Sequence, residues 1–126
     1  MRGRLVVVGL ALVLSSCGAL TDALGNIGKT KLQTVAESCA SEYSGYVDVL
    51  DNGKTISIDG EGEEDPGSPM KETACVLFAI PVPSYIIERI DKTRALDGMQ
   101  REEFDGFSIS WSYHPNDGLD VVIHEQ

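Results

Sequence analysis

Val47-Asp48-Val49-Leu50-Asp51-Asn52-Gly53-Lys54-Thr55-Ile56-Ser57-Ile58 reads as a β-hairpin by two independent criteria. Asn-Gly is the preferred pair for a two-residue type I′ turn, because both central positions take positive φ. With Asn52 and Gly53 as the loop, Asp51 falls opposite Lys54, Val49 opposite Ile56 and Val47 opposite Ile58. Those four apolar side chains then share one face, while Asp48 and Ser57 share the other. A slip of one residue would invert the faces, so turn chemistry and hydrophobic pattern specify the same register.

A second hairpin closes the chain. Phe107, Ile109, Trp111 and Tyr113 alternate with Ser108, Ser110 and Ser112, a two-residue period. Leu119, Val121 and Ile123 answer them across a five-residue loop, His114 to Gly118. Setting Tyr113 against Leu119 puts Trp111 opposite Val121 and Ile109 opposite Ile123.

Helical spacing fills the remainder. Leu32, Val35, Ala36 and Cys39 recur at i, i+3, i+4 and i+7, one face of an amphipathic helix that starts at Lys31. Ala74 to Ile80 is apolar throughout and fits either a buried helix or a buried strand. Ser68-Pro69 before it suits a helix N-cap followed by proline at the first helical position, which favours the helix. Ser84 to Thr93 reads as a further helix, with Tyr85, Ile86, Ile87 and Ile90 inward and Glu88 to Lys92 as an i, i+4 pair. The order is α-ββ-αα-ββ. It predicts an α+β fold: a two-layer domain over residues 31–126 with a four-stranded antiparallel sheet and its helices on one face.

The chain has 126 residues, a length that accommodates one ordinary core. Ten Lys and Arg against twenty Asp and Glu give a net charge of -10. No nucleic acid is expected as partner, because phosphate binding needs a basic surface.

The first sixteen residues have the build of an address. Arg2 and Arg4 precede Leu5 to Leu14, ten residues without a charge. As helix these rise about 15 Å, half of a ~30 Å hydrocarbon core, which matches a secretory signal peptide and not a membrane span. Leu14-Ser15-Ser16-Cys17 then matches the bacterial lipobox: an aliphatic residue, two small residues, and the cysteine that receives a diacylglycerol thioether. Residues 1–16 are accordingly expected to be removed, with Cys17 the lipid attachment on the outer face of the cell membrane. Residues 17–30 form the tether. Removal leaves eight basic and twenty acidic residues, a charge of -12. An anionic lipid surface repels such a body, so the lipid bilayer is a partner only through the anchor.

Cys39 and Cys75 remain as an even pair in an exported chain, which points to a disulfide. It would close a 36-residue loop, worth roughly 3.5–4 kcal/mol by chain entropy.

Thr93-Arg94-Ala95-Leu96-Asp97-Gly98 and Ser110-Trp111-Ser112-Tyr113-His114-Pro115-Asn116-Asp117-Gly118-Leu119 resemble segments of a group of small actinobacterial cell-envelope lipoproteins. The lipobox, the cysteine pair and the acidic loop after the first hairpin belong to the same resemblance. It implies a bacterial envelope location and no particular reaction.

Chemistry-bearing residues are few. Tyr113, His114 and Asp117 gather at the second hairpin turn and are the candidate ligand-binding residues, although His114, Asn116 and Asp117 are also ordinary turn formers. His124 falls on the sheet face away from the core, across from Ser108. Asp59-Gly60-Glu61-Gly62-Glu63-Glu64-Asp65 is rich in carboxylates but does not match a calcium-loop spacing, and reads as a solvated, self-repelling run. Gly28-Lys29-Thr30 imitates the end of a phosphate-binding loop, yet position 23, which would need glycine, is Ala23. No catalytic residues, metal or cofactor are expected. The expected function is a non-enzymatic binding module of the cell envelope, with an envelope protein or glycan as partner. The alternative is a small-ligand or divalent-metal carrier using the acidic loop or the His114 turn. A hydrolase built on His114 and Asp117 is the least supported reading.

Overall fold

The computed structural model describes residues 28–40 and 44–126. The leader, Cys17 and the tether before Gly28 lie outside the described residues. The elements run α1 (Lys31–Cys39), β1 (Val47–Leu50), β2 (Thr55–Ile58), α2 (Met70–Ala79), α3 (Ser84–Asp91), β3 (Gln100–Phe104), β4 (Phe107–His114) and β5 (Gly118–Glu125). The strands form one antiparallel sheet in the order β1-β2-β5-β4-β3. The α+β class stands; the expected four strands are corrected to five.

Both hairpins have the register that their apolar residues require. Val47 pairs with Ile58 and Val49 with Ile56; Ile109 pairs with Ile123, Trp111 with Val121 and Tyr113 with Leu119. The hairpins join through β2 and β5, where Ile56 faces Ile123 and Ile58 faces Val121, so their apolar faces are continuous. The ladder of the first hairpin ends at Leu50–Thr55, so the expected two-residue turn is widened to Asp51–Lys54, with φ of 53° at Asp51, 55° at Asn52 and 88° at Gly53. In the second, His114 pairs with Gly118, which shortens the expected five-residue loop to Pro115-Asn116-Asp117.

The extra strand, β3, is Gln-Arg-Glu-Glu-Phe. It has no apolar alternation because it is an edge strand, and charges on an edge discourage pairing with another chain. Asp105-Gly106, at φ 44° and 80°, turns it into β4 and brings Phe104 against Phe107 with ring centroids 5.6 Å apart. Arg89 of α3 pairs with Glu102 on this strand and lies 5.6 Å from the centroid of the Trp111 ring.

The three helices cover one sheet face, and Ile109, Trp111, Val121 and Ile123 are buried there against Leu32, Val76 and Ile86. Thr30 starts α1 with a capping box, its hydroxyl accepting from Gln33 N–H while the Gln33 side chain accepts from Thr30 N–H. The same hydroxyl donates to the Gly53 carbonyl at 2.5 Å. Thr30, the last residue of the loop-like Gly28-Lys29-Thr30, is therefore the N-cap of α1.

The stretch that fitted both helix and strand is helical through Ala79, as the end of Met70–Ala79, with Ile80 its C-cap. Its N-cap is Pro69 and not Ser68; the Ser68 hydroxyl instead donates to the buried Glu72 carboxylate at 2.9 Å. The run Ala74–Ile80 is not buried throughout, since Val76, Leu77 and Ile80 are inward while Phe78 is 73% exposed. On α3, Ile86 and Ile90 are buried one turn apart, which leaves Tyr85, expected inward, 54% exposed. Glu88 and Lys92 pair at 3.0 Å. Cys39 on α1 and Cys75 on α2 stand at disulfide distance, with Cα atoms 5.6 Å apart.

Candidate functional site

Helices α2 and α3 and the turn end of the β4–β5 hairpin enclose a cleft of about 390 Å³. Leu77 and Phe78 form one wall, Ile87 and Ile90 the other, and Tyr113 and Leu119 the floor. This is the size and the apolar lining of a small-ligand site. The wall on α2 exists because that helix carries apolar residues on more of its circumference than the core uses. Phe78 and Met70, 73% and 64% exposed, are what remains.

Next to it lies a hollow of about 310 Å³ that shares Met70, Tyr113 and Leu119 with the cleft and adds Glu61 and Glu63. Its rim is the acidic loop, whose backbone is not free-standing. Glu63 N–H donates to the Pro115 carbonyl at 2.9 Å, and Glu64 and Asp65 N–H both donate to the Asn116 carbonyl at 3.1 Å. Glu61 N–H donates to Ser68 and Ser68 N–H to Asp59, closing the loop at its base. The side chains of Glu61, Glu63, Glu64 and Asp65 are exposed, as a solvated charge run requires, while the backbone that carries them is docked on the hairpin turn.

That docking brings carboxylates together. Asp120 sits beneath the loop, with its Oδ1 3.4 Å from the Gly60 nitrogen. Burial, and then the neighbouring Asp59 and Asp117 carboxylates, hold Asp120 above the ordinary carboxylate value, against the Gly60 amide, which favours the charged form. A carboxyl whose folded pKa lies above its unfolded one contributes stability below the unfolded value and loses it as pH rises through the folded one. Asp120→Asn retains an acceptor for Gly60 and removes the charge. Thermal melts from about pH 4 to neutrality are expected to show the variant melting above the parent at neutral pH and losing less stability across the series. Parallel curves would contradict this.

The three candidate binding residues separate. Tyr113 is on the helix-covered face and lines both hollows. His114 follows it on the strand and so faces the other side of the sheet. Its Nδ1 accepts from Asn116 N–H at 3.2 Å and lies 3.8 Å from Asp117, with both side chains more than half exposed. His114 thus fastens the turn, and neither it nor Asp117 lines either hollow. His124 pairs across from Ser108 as expected, and its Nδ1 is 2.8 Å from the Thr55 hydroxyl, which is also 2.5 Å from Asp51 Oδ2. The hydroxyl there links ring to carboxylate, whereas a nucleophilic triad needs the ring in the middle. Among the described residues no group of three or more His, Cys, Asp or Glu side chains is arranged to hold a metal ion.

Met70 and Phe78 are the site residues that periodicity overlooked. For Phe78 the signal is the seven-residue run Ala74–Ile80, wider than one buried face of a short helix; Met70 lies outside that run. Comparison of the chain with protein-family models, curated proteins and solved structures gives no match.

Proposed function

We propose that this protein is a non-enzymatic binding module of the bacterial cell envelope, held to the outer face of the membrane by a lipid on Cys17. The apolar cleft between α2 and α3 carries the binding part of this reading. It is open, of ligand size, and lined by side chains that would be expensive to leave in water without an occupant. The anchoring part rests on Leu14-Ser15-Ser16-Cys17 and the basic-then-apolar leader. A cysteine pair at disulfide distance suits an oxidising compartment, and among the described residues no helix is long and apolar enough to cross a membrane. Two or more acyl chains are needed for stable anchoring, which lipidation at such a cysteine would supply.

The test is photo-crosslinking in the native cells with p-benzoylphenylalanine at position 78, followed by mass spectrometry of the protein extracted from its membranes. A discrete adduct of an envelope protein, glycan or small molecule is expected at position 78. The control at exposed position 105, at the opposite end of the β4–β5 hairpin, is expected to give none. Equal labelling at both positions, or none at either, overturns the reading.

A further inference from the structure

The apolar cleft and the acidic hollow adjoin at Met70, Tyr113 and Leu119, and we infer that together they take a small amphipathic organic cation: an apolar chain or ring ending in an ammonium group. This rests on the binding reading above and names the ligand class. Tyr113 is the joint, because it lines both the apolar cleft and the hollow that carries Glu61 and Glu63. No Lys or Arg lines either part, while Asp91 adds a third carboxylate along the cleft. Glu61, Glu63 and Asp91 have no basic partner among the described residues. Arg89 and Lys92 line a separate hollow that meets the cleft at Thr93, and they are paired with Glu102 and Glu88.

An apolar group in the cleft removes Phe78 and Tyr113 surface from water. A cation at the Tyr113 end then meets the ring and two carboxylates held by a docked backbone. An anionic ligand would meet uncompensated carboxylates, and a neutral one would leave them unused. The volumes, about 390 and 310 Å³, are those of small-molecule sites.

The experiment is isothermal titration calorimetry of the full chain in zwitterionic nanodiscs, with empty nanodiscs as control. The probes are hexyltrimethylammonium, 1-hexanol and hexanesulfonate, which share a chain and differ in the head. The cation is expected to bind at least about tenfold more tightly than the alcohol, a preference lost at high salt. Glu61→Gln with Glu63→Gln, both exposed, is expected to remove most of the cation's preference over the alcohol without weakening the alcohol. Tyr113→Ser is expected to weaken both. Equal binding of the three probes overturns the charge selection and leaves the apolar binding site standing. Binding of none overturns both.

Discussion

Replacing Cys39 and Cys75 together by alanine is expected to lower the unfolding free energy by roughly 3.5–4 kcal/mol, the chain-entropy value for a loop of this length. The bridge joins α1 to α2 across 36 residues, a span that contains the first hairpin and the whole acidic loop. Cys39 is 8% exposed and Cys75 lies at the surface, so little packing is lost on the α2 side and the effect is mainly on the unfolded chain. For a domain of this size the loss corresponds to a fall in Tm of at least about 15 °C. Calorimetric melts of the oxidised parent and the double variant decide it. A difference of only a few degrees would contradict the assignment of the bridge as a principal staple of α1.

The second large effect is expected at Gly118. Its φ is 99°, and a Cβ there would stand 2.5 Å from the Gly60 carbonyl oxygen and 2.7 Å from the Glu61 carbonyl carbon. Both obstacles are backbone, so no side chain can swing aside. Gly106 has a φ of 80° but open space around it, and so isolates the conformational cost. Gly106→Ala is expected to cost about 1 kcal/mol, and Gly118→Ala at least about 3 kcal/mol, because strain and overpacking act together. Hydrogen exchange supplies the local reading. The amides of Glu63, Glu64 and Asp65, which donate to Pro115 and Asn116, are expected to lose protection in the Gly118 variant first. Equal costs at the two glycines would mean that the acidic loop is not docked as described.

What the sequence disclosed, and what it did not, follows from where each residue gets its instructions. The two hairpins were legible because turn chemistry and alternation are local and agree: Asn52-Gly53 and the Ser-alternating run Phe107–Tyr113 each name their own register. Strand β3 was not, since an edge strand needs no apolar face. Only the short Asp105-Gly106 turn marked it, and the Arg89–Glu102 pair that holds it joins residues distant in sequence. The identity of α2 as helix could be favoured from Ser68-Pro69 but not its exposed face. Whether Phe78 is core or wall depends on where α3 lies, and that is tertiary information. For the same reason Tyr113 could be named as a candidate beside His114, while the groove that separates them could not be read. The acidic loop looked free because charge predicts solvation of side chains; the backbone ties to Pro115 and Asn116 leave no trace in composition.

The most direct test of the account is the intact mass of the protein extracted from its own membranes without reductant. The expected mass is that of residues 17–126 carrying diacylglycerol and a further acyl chain on Cys17, less two hydrogens for the Cys39–Cys75 bridge. A mass without lipid, or one retaining residues 1–16, would contradict it.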